Sequence, residues 1–391
     1  PLFAQRLRQL SKKWGKVSML SVSGDDPLVR LHAQLTVSPA ELPLALAAVV
    51  KAAALLRGEP VPAGLADIEP CAVSQAIASS LVEGERRAIF LGNVAEQSPQ
   101  AALLHALANE LARLTGARCG FIGDGANSVG GHLAKALPTS LNAYEMFAQP
   151  RKAYFLLGVE PELDCHNPQQ AVAALQAADL VVMLTPFADG LARDYADVLL
   201  PIAPFSETSG SFVNCEGRVQ SFSGVVRPFA DARPAWKVLR VLGNLLALTG
   251  FDQDSSEQVR DEIIPGGTEF IGGLDNRLAA ALPVTLAASS DGLQRVADVP
   301  IHFADPLARR APALQQTRDA AAPTARMNQE TLNALGLTDG VLVRVRQGVG
   351  EAVLAARVDE TTPPACVRVA AAHASTAALG DMFGAIKVER A

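Results

Sequence analysis

The stretch 196–222, ADVLLPIAPFSETSGSFVNCEGRVQSF, crowds chemistry-bearing side chains behind an apolar run. Glu207, Asn214, Cys215 and Glu216 follow within twenty residues of Pro201, with Gly210 and Gly217 among them. Glu207 has two readings: its carboxylate orients a ligand amine, or it accepts from an amide of its own loop. The sequence favours the loop. SFVN and RVQSF flank Cys215-Glu216-Gly217 and predict a short hairpin, with Gly217 supplying a positive φ. Two further stretches invite comparison with known sites. GDGANSVGGH (123–132) follows an apolar run as a phosphate loop would. Yet Ser128 stands where a dinucleotide loop needs glycine, and Gly131-His132 where a P-loop needs Lys and Ser/Thr. A glycine-rich turn is the simpler reading. In DCHNP (164–168), Cys165 and His166 are adjacent, which is poor geometry for chelating one metal. Asn167-Pro168 reads better as a helix start.

Strands separated by helices must position these loops. RAIFLG (87–92), RCGFIG (118–123), KAYFLLGVEP (152–161), LVVMLT (180–185) and ADVLLP (196–201) are apolar runs. Helical stretches lie between them, at 100–116 with a glycine stop and at 168–178. Continuous apolar strands alternating with helices predict parallel sheets with helices on both faces. In such sheets ligands bind at the carboxyl ends of the strands, where the 196–222 stretch begins. DARPAWKVLRVLGNLLALTG (231–250) predicts a mostly buried helix. Asp231 would cap it, and only a narrow stripe of Lys237, Arg240 and Asn244 is polar. After a looser stretch, VLVRVR (341–346), EAVLAARV (351–358) and ACVRVA (365–370) alternate with period two and predict a β domain.

Bulk properties narrow the classes. The chain has 391 residues, which is more than one core accommodates. Its net charge of −6 and lack of a basic tract argue against a nucleic-acid partner. The longest apolar stretch, LPLALAAVV at 42–50, falls short of a bilayer span, so no direct membrane insertion is expected. Cys71, Cys119, Cys165, Cys215 and Cys366 are too widely spaced for a disulfide framework or a metal knot. The remaining histidines, His32, His105, His302 and His373, are scattered and suggest no base.

Taken together, the segments resemble the molybdopterin oxidoreductase family. The likeness is carried by Asp197, Pro201, Glu207, Gly210, Phe212, Asn214, Glu216, Gly217, Arg218, Gln220, Pro234 and Trp236. Residues 327–370 resemble that family's C-terminal barrel, in which an asparagine near Asn328 grips the nucleotide end of the pterin. A narrower resemblance comes from PIHFADPLARRAPALQQTRDA (300–320), GANSVGG (125–131) and LLGVEP (156–161). These are similar to the C-terminal part of the large iron–sulfur subunit of bacterial NADH-quinone oxidoreductase, respiratory complex I.

The resemblance implies a fold class: α/β, Rossmann-like parallel sheets with helices on both faces, plus a C-terminal double-psi β-barrel. It implies four regions: an N-terminal α/β segment (1–85) continuing an upstream domain, a Rossmann-like domain (86–250), a linker with helical connection (251–323) and the barrel (324–391). Cluster ligation needs closely spaced thiolates, which are missing here. The chain also opens on Pro1, so a piece of a longer subunit is expected, with its 2Fe-2S and 4Fe-4S clusters upstream and no cofactor in these residues. Glu207, Gly210, Asn214, Glu216, Gly217 and Asn328 then become vestigial pterin-site positions, with no catalytic or metal-binding residue expected. The implied role is structural docking that supports electron transfer from NADH to quinone. Partners would be other subunits of the peripheral arm, on the cytoplasmic side of the inner membrane, and Arg309-Arg310 would reach an acidic one. Two alternatives stand beside it: a fragment of an active, formate-dehydrogenase-like molybdenum or tungsten bis-pterin oxidoreductase, and a nucleotide-binding α/β enzyme domain.

Overall fold

A computed structural model describes residues 2–123, 125–264, 274–278, 286 and 292–391. The looser stretch includes the turn-like sequences PGGTEFIGG (265–273) and SSDG (289–292); the first and most of the second lie outside the described residues. The chain forms two compact units, one from Pro1–Ile122 with Asn276–Ala391, the other from Gly123–Asp275.

The first unit opens with α1 (Leu2–Lys12), β1 (Ser18–Ser21), β2 (Ala33–Thr36), α2 (Leu42–Arg57), α3 (Ala72–Glu83), β3 (Ala88–Gly92), α4 (Asn93–Gln97), α5 (Ala101–Thr115) and β4 (Arg118–Ile122). β1 pairs with β2 and β3 with β4, both in parallel. α2 is built of small apolar residues, so α3 and α5 pack closely on it. Ala47, Val50, Ala53 and Ala54 meet Ile77, Ala78, Leu107, Leu111 and Leu114 in one core. Gly58 and Gly116 end α2 and α5 at φ 66° and 70°, a left-handed turn that a Cβ would strain.

The second unit holds α6 (Ser128–Leu133), α7 (Ala143–Ala148), β5 (Ala153–Leu157), α8 (Pro161–Asp164), α9 (Pro168–Gln176), β6 (Leu180–Thr185), α10 (Ala192–Tyr195), β7 (Val198–Pro201), β8 (Gly210–Val213), β9 (Val219–Phe222), α11 (Ala235–Leu245) and α12 (Ser256–Ile263). β5, β6 and β7 form a parallel sheet in sequence order. Tyr154, Leu156, Val181 and Met183 on one of its faces pack on Ala174 and Leu175 of α9 and on Ala192 and Tyr195 of α10. Phe155, Leu157, Leu180 and Val198 are exposed. Asn167 caps α9 as its sequence suggests, accepting from the Gln170 N–H at 2.9 Å, with Pro168 in the first turn.

The helix expected over 231–250 is shorter, and it is not mostly buried. Arg233 makes a parallel β-bridge with Ile202, and its carbonyl accepts from the Ala203 N–H at 2.9 Å. The bridge fixes Arg233, and Asp231 sits in a turn closed by the Ala232 N–H on the Phe229 carbonyl at 3.0 Å, so α11 starts after Pro234 and Asp231 does not cap it. Ala247 turns the chain at φ 55°, ahead of Gly250. Of α11 only Gly243 is buried, while Val241 and Leu245 are exposed. Apolar composition favoured burial, but no described element covers that face.

The chain then returns to the first unit with β10 (Gln294–Val296), α13 (Pro306–Arg309), α14 (Pro312–Gln315), β11 (Ala325–Met327), α15 (Gln329–Ala334), β12 (Leu342–Gln347), β13 (Gly350–Val358), β14 (Cys366–Arg368), β15 (Phe383–Ala385) and β16 (Lys387–Arg390). Seven strands form one mixed sheet, ordered β15-β10-β14-β11-β13-β12-β16. Its first and last strands are neighbours in sequence, joined through buried Ile386, so the sheet curls on itself. The period-two pattern is realised in β12 and β13: Val343, Val345, Ala352, Leu354 and Ala356 all point into the core. The sheet also draws β10 from within the stretch 251–323. Asp305 caps α13, accepting from the Leu307 and Ala308 N–H groups at 2.8 and 3.2 Å.

Candidate functional site

The 196–222 stretch folds as its residues suggest, a parallel strand followed by an antiparallel hairpin. β8 and β9 pair from Gly210↔Phe222 to Val213↔Val219. Gly217 sits at φ 81° in the turn. Asn214 fixes that turn: its Oδ1 accepts from the Glu216 N–H at 3.0 Å and the Arg218 N–H at 2.9 Å. Gly210 has a packing reason, since a Cβ there would come within 2.8 Å of the Phe222 ring. Glu207 takes the loop reading. Its Oε2 accepts from the Phe229 N–H at 2.9 Å and ties the 223–230 segment to the hairpin. Glu216 is exposed at the turn.

Asn328 lies in the other unit. It is buried, and its Oδ1 accepts from the Thr331 N–H at 2.9 Å to cap α15. The Thr331 hydroxyl in turn accepts from the Ala365 N–H at 3.1 Å. The six positions therefore divide between the units, five and one. Gly210 and Gly217 shape the backbone, Glu207, Asn214 and Asn328 hold backbone amides, and Glu216 stands in solvent. Glu207, Asn214 and Asn328 thus each spend an acceptor oxygen on a backbone amide of their own loop, whereas the Glu216 carboxylate is open to solvent.

The other sequence candidates resolve without chemistry. Residues 128–133 are helix, and Asn127 Oδ1 accepts from the Val213 N–H at 2.7 Å, so GANSVGG braces the hairpin instead of cradling phosphate. Burial pushes the Cys165 thiol up to about 12, which leaves it without thiolate character at neutral pH. Among the described residues no group of three or more His, Cys, Asp or Glu could hold a metal. Arg309 and Arg310 turn to the carbonyls of Phe303 and Pro306, at 2.7 and 3.1 Å.

Sequence reasoning missed three features. Glu162 and Tyr195 form a buried pair at the carboxyl end of the β5–β7 sheet, with the phenol donating to Oε2 at 2.9 Å. Burial raises the Glu162 carboxyl above its usual range. In the curled sheet Arg295 is 1% exposed, and burial lowers its guanidinium to about 10. A cavity of about 570 Å³ also opens beside the hairpin, lined by Glu207, Arg227, Arg233, Trp236 and Lys237 among others. Arg227 carried no local sequence signal, and Lys237 read only as part of the polar stripe of its helix. Trp236 belonged to the signature, but its spacing alone did not mark it as lining a cavity.

Comparison with known proteins places these features. Residues 61–245 match Molybdopterin oxidoreductase, and residues 307–384 match the molybdopterin dinucleotide binding domain. A protein described as "Putative formate dehydrogenase" from Staphylococcus aureus strain MRSA252 is 32% identical over 109 residues, 28% of this chain and 11% of that protein. Its namesake in strain USA300 is 32% identical over 111 residues, with the same shares. The matched stretch thus spans about a tenth of these relatives. Among solved structures, acetylene hydratase from Pelobacter acetylenicus superposes with a TM-score of 0.68, at 13% identity, over 99% of this chain and 75% of that one. At that identity the likeness speaks for the fold alone. The narrower resemblance to a complex I component rests on sequence motifs only. The chain carries a molybdopterin oxidoreductase domain followed by a molybdopterin dinucleotide-binding domain.

Proposed function

We propose that this chain is the scaffold portion of a formate-dehydrogenase-like molybdopterin oxidoreductase. The observation that carries the reading is the succession, on one chain, of a parallel sheet, the 196–222 hairpin and a curled seven-stranded sheet of the dinucleotide-binding type. The relatives named as formate dehydrogenases support it. A molybdopterin supplies two-electron redox chemistry when bound. No step is assigned to Glu207, Asn214 or Asn328, because each holds a loop amide. Their part is to fix backbone shape: Asn214 the hairpin turn, Glu207 the segment that follows it, Asn328 the entry to α15. The test is oxidative release of pterin, read by fluorescence, with molybdenum and tungsten by elemental analysis of the purified protein. Stoichiometric pterin and metal support the reading; their absence from protein made in a pterin-competent host overturns it.

The inward commitment of the same three side chains favours a second reading. In it the chain is the cluster-free part of the large iron–sulfur subunit of NADH-quinone oxidoreductase. It would dock neighbouring subunits of the peripheral arm on the cytoplasmic side of the membrane, while the 2Fe-2S and 4Fe-4S clusters lie upstream. Among the described residues no helix is long and apolar enough to cross a membrane. Purification from its native host decides this reading: it expects NADH-oxidising activity and iron to co-purify without pterin, and their absence overturns it.

A further inference from the structure

We infer that the cavity beside the hairpin binds a small multivalent oxyanion, a phosphorylated or polycarboxylated metabolite. The cavity lies wholly within the second unit and holds about 570 Å³, the size of a small-metabolite site. Its charges are unevenly satisfied. Asp254 is engaged by Arg240 at 3.4 Å, and Glu207 by the Phe229 amide. Glu257 accepts from the Ser256 hydroxyl at 3.2 Å. The three cations of the lining pair with none of these carboxylates. Arg233 donates only to two backbone carbonyls, those of Ala230 and Ala232 at 3.2 and 2.7 Å. Lys237 lies over the Trp236 ring, 5.2 Å from its centroid. Arg227 makes no hydrogen bond or ion pair with a described residue and projects from a segment whose neighbours Val225 and Phe229 are also exposed.

Trp236 lines the same cavity beneath the Lys237 ammonium, so its ring stands next to that charge. The three carboxylates of the lining are engaged elsewhere, which leaves two guanidinium groups and an ammonium to face a ligand. The complementary ligand is rich in acceptors and carries more than one negative charge. This inference does not rest on the pterin reading, because none of these four side chains is assigned there.

The chain contains only two tryptophans, and Trp14 is 88% exposed, so Trp14→Phe leaves Trp236 as the single emitter. In that background pyrophosphate and citrate are titrated separately, with sodium chloride at matched ionic strength as the reference. A saturable change in Trp236 emission with either probe, persisting at about 150 mM salt, is expected, and the tighter probe names the ligand class. Calorimetry should then show Arg227→Gln and Lys237→Gln each weakening that probe about tenfold. Arg218→Gln removes an equal charge from an exposed position outside the cavity and should leave affinity unchanged. Failure of both probes to saturate overturns the inference. Equal losses in the Arg218 and Arg227 variants would also overturn it, since they would show screening of overall charge.

Discussion

The curled sheet of the first unit and the hairpin region of the second handle unusual side chains in opposite ways. In the sheet, Arg295 is buried with no carboxylate in direct contact among the described residues, although Asp381 lies near enough to favour its charge, and five acceptors surround it. Its Nε reaches the Val369 carbonyl, its Nη1 the Gln347 amide and the Gly380 and Asp381 carbonyls, and its Nη2 the Ala370 carbonyl, all between 3.1 and 3.4 Å. Beside the hairpin, Trp236 keeps a buried N–H without an acceptor. There Val225, Phe229 and Leu245 are more than three-quarters exposed, at 85, 81 and 77%. Arg295 is met from within its own sheet, although Arg344 Nε and Thr362 Oγ1 there stay without a hydrogen-bond partner and Val349 and Leu342 stand exposed. Beside the hairpin no described residue meets the indole N–H, and the three apolar side chains stand in solvent. Substitutions in the first should therefore cost stability, and in the second they should cost binding.

The contrast is tested most severely at Arg295. Arg295→Met removes the charge and takes the guanidinium donor from the Val369, Ala370 and Gly380 carbonyls, while the Asp381 carbonyl still accepts from Gln347 Nε2 at 2.9 Å. Stranding buried acceptors around a lost ion is expected to cost about 3–5 kcal/mol in urea unfolding. Arg295→Lys keeps the charge but cannot span acceptors on both sides of the fork, and should fall between. A loss under about 1 kcal/mol for the methionine variant would show that the sheet does not depend on this internal network, and the contrast would fail.

Arg295 also shows where sequence reading stops. In LQRVADV it reads as an ordinary polar residue. Four of its acceptors lie at 369–381 and the fifth at 347, all far along the chain, and period-two patterning is blind to them. The same distance hides β10, three residues whose pairing partners are Cys366–Arg368 and Phe383–Ala385. Local signals fared better. Gly116 ends α5, Asn167 caps α9, and the 341–358 alternation becomes β12 and β13. At the candidate site the hairpin was legible from Cys215-Glu216-Gly217 because its cause is local. That Glu207 serves Phe229, twenty-two residues on, was open in the sequence and is settled by the fold. The exposed side of α11 was misjudged for a related reason: composition gives a helix's polarity but not whether a neighbour arrives.

A milder pair of substitutions compares the two asparagines. Asn328→Ala removes the cap of α15, and Asn214→Ala the brace of the hairpin turn. Loss of a side-chain cap costs about 0.5–2 kcal/mol. The buried Asn328 should sit at the upper end of that range and the partly exposed Asn214 at the lower. Asn328→Asp keeps an acceptor for the Thr331 amide and should recover most of the loss. Equal losses from the two alanine variants would weaken the distinction between a closed and an open region.

The Glu162–Tyr195 pair is a buried polar pair of the closed kind within the second unit, and it responds to pH. Burial raises the Glu162 carboxyl above the unfolded value of 4.5, so the folded chain holds a proton that the unfolded chain has released. Stability from this group is complete below pH 4.5 and falls as pH rises toward the folded value. Glu162→Gln keeps an acceptor for the Tyr195 hydroxyl but cannot ionise. Its melting temperature should decline less between pH 4.5 and neutrality than that of the parent. Parallel profiles for the two proteins would mean that Glu162 ionises as freely in the fold as outside it.

The smallest expected effect tests the open region directly. Phe229→Ser and Leu245→Ser remove large apolar groups, a change that costs several kcal/mol in a core. Both positions already face water in this chain, so the folded and unfolded states lose nearly the same hydration penalty and it cancels. The change in unfolding free energy should stay within about 0.5 kcal/mol. For Phe229 the substitution also spares the backbone N–H held by Glu207, so the 223–230 segment keeps its anchor. A loss well above about 1 kcal/mol at either position would show that the side chain is packed in solution, and the hairpin region would then be as closed as the sheet.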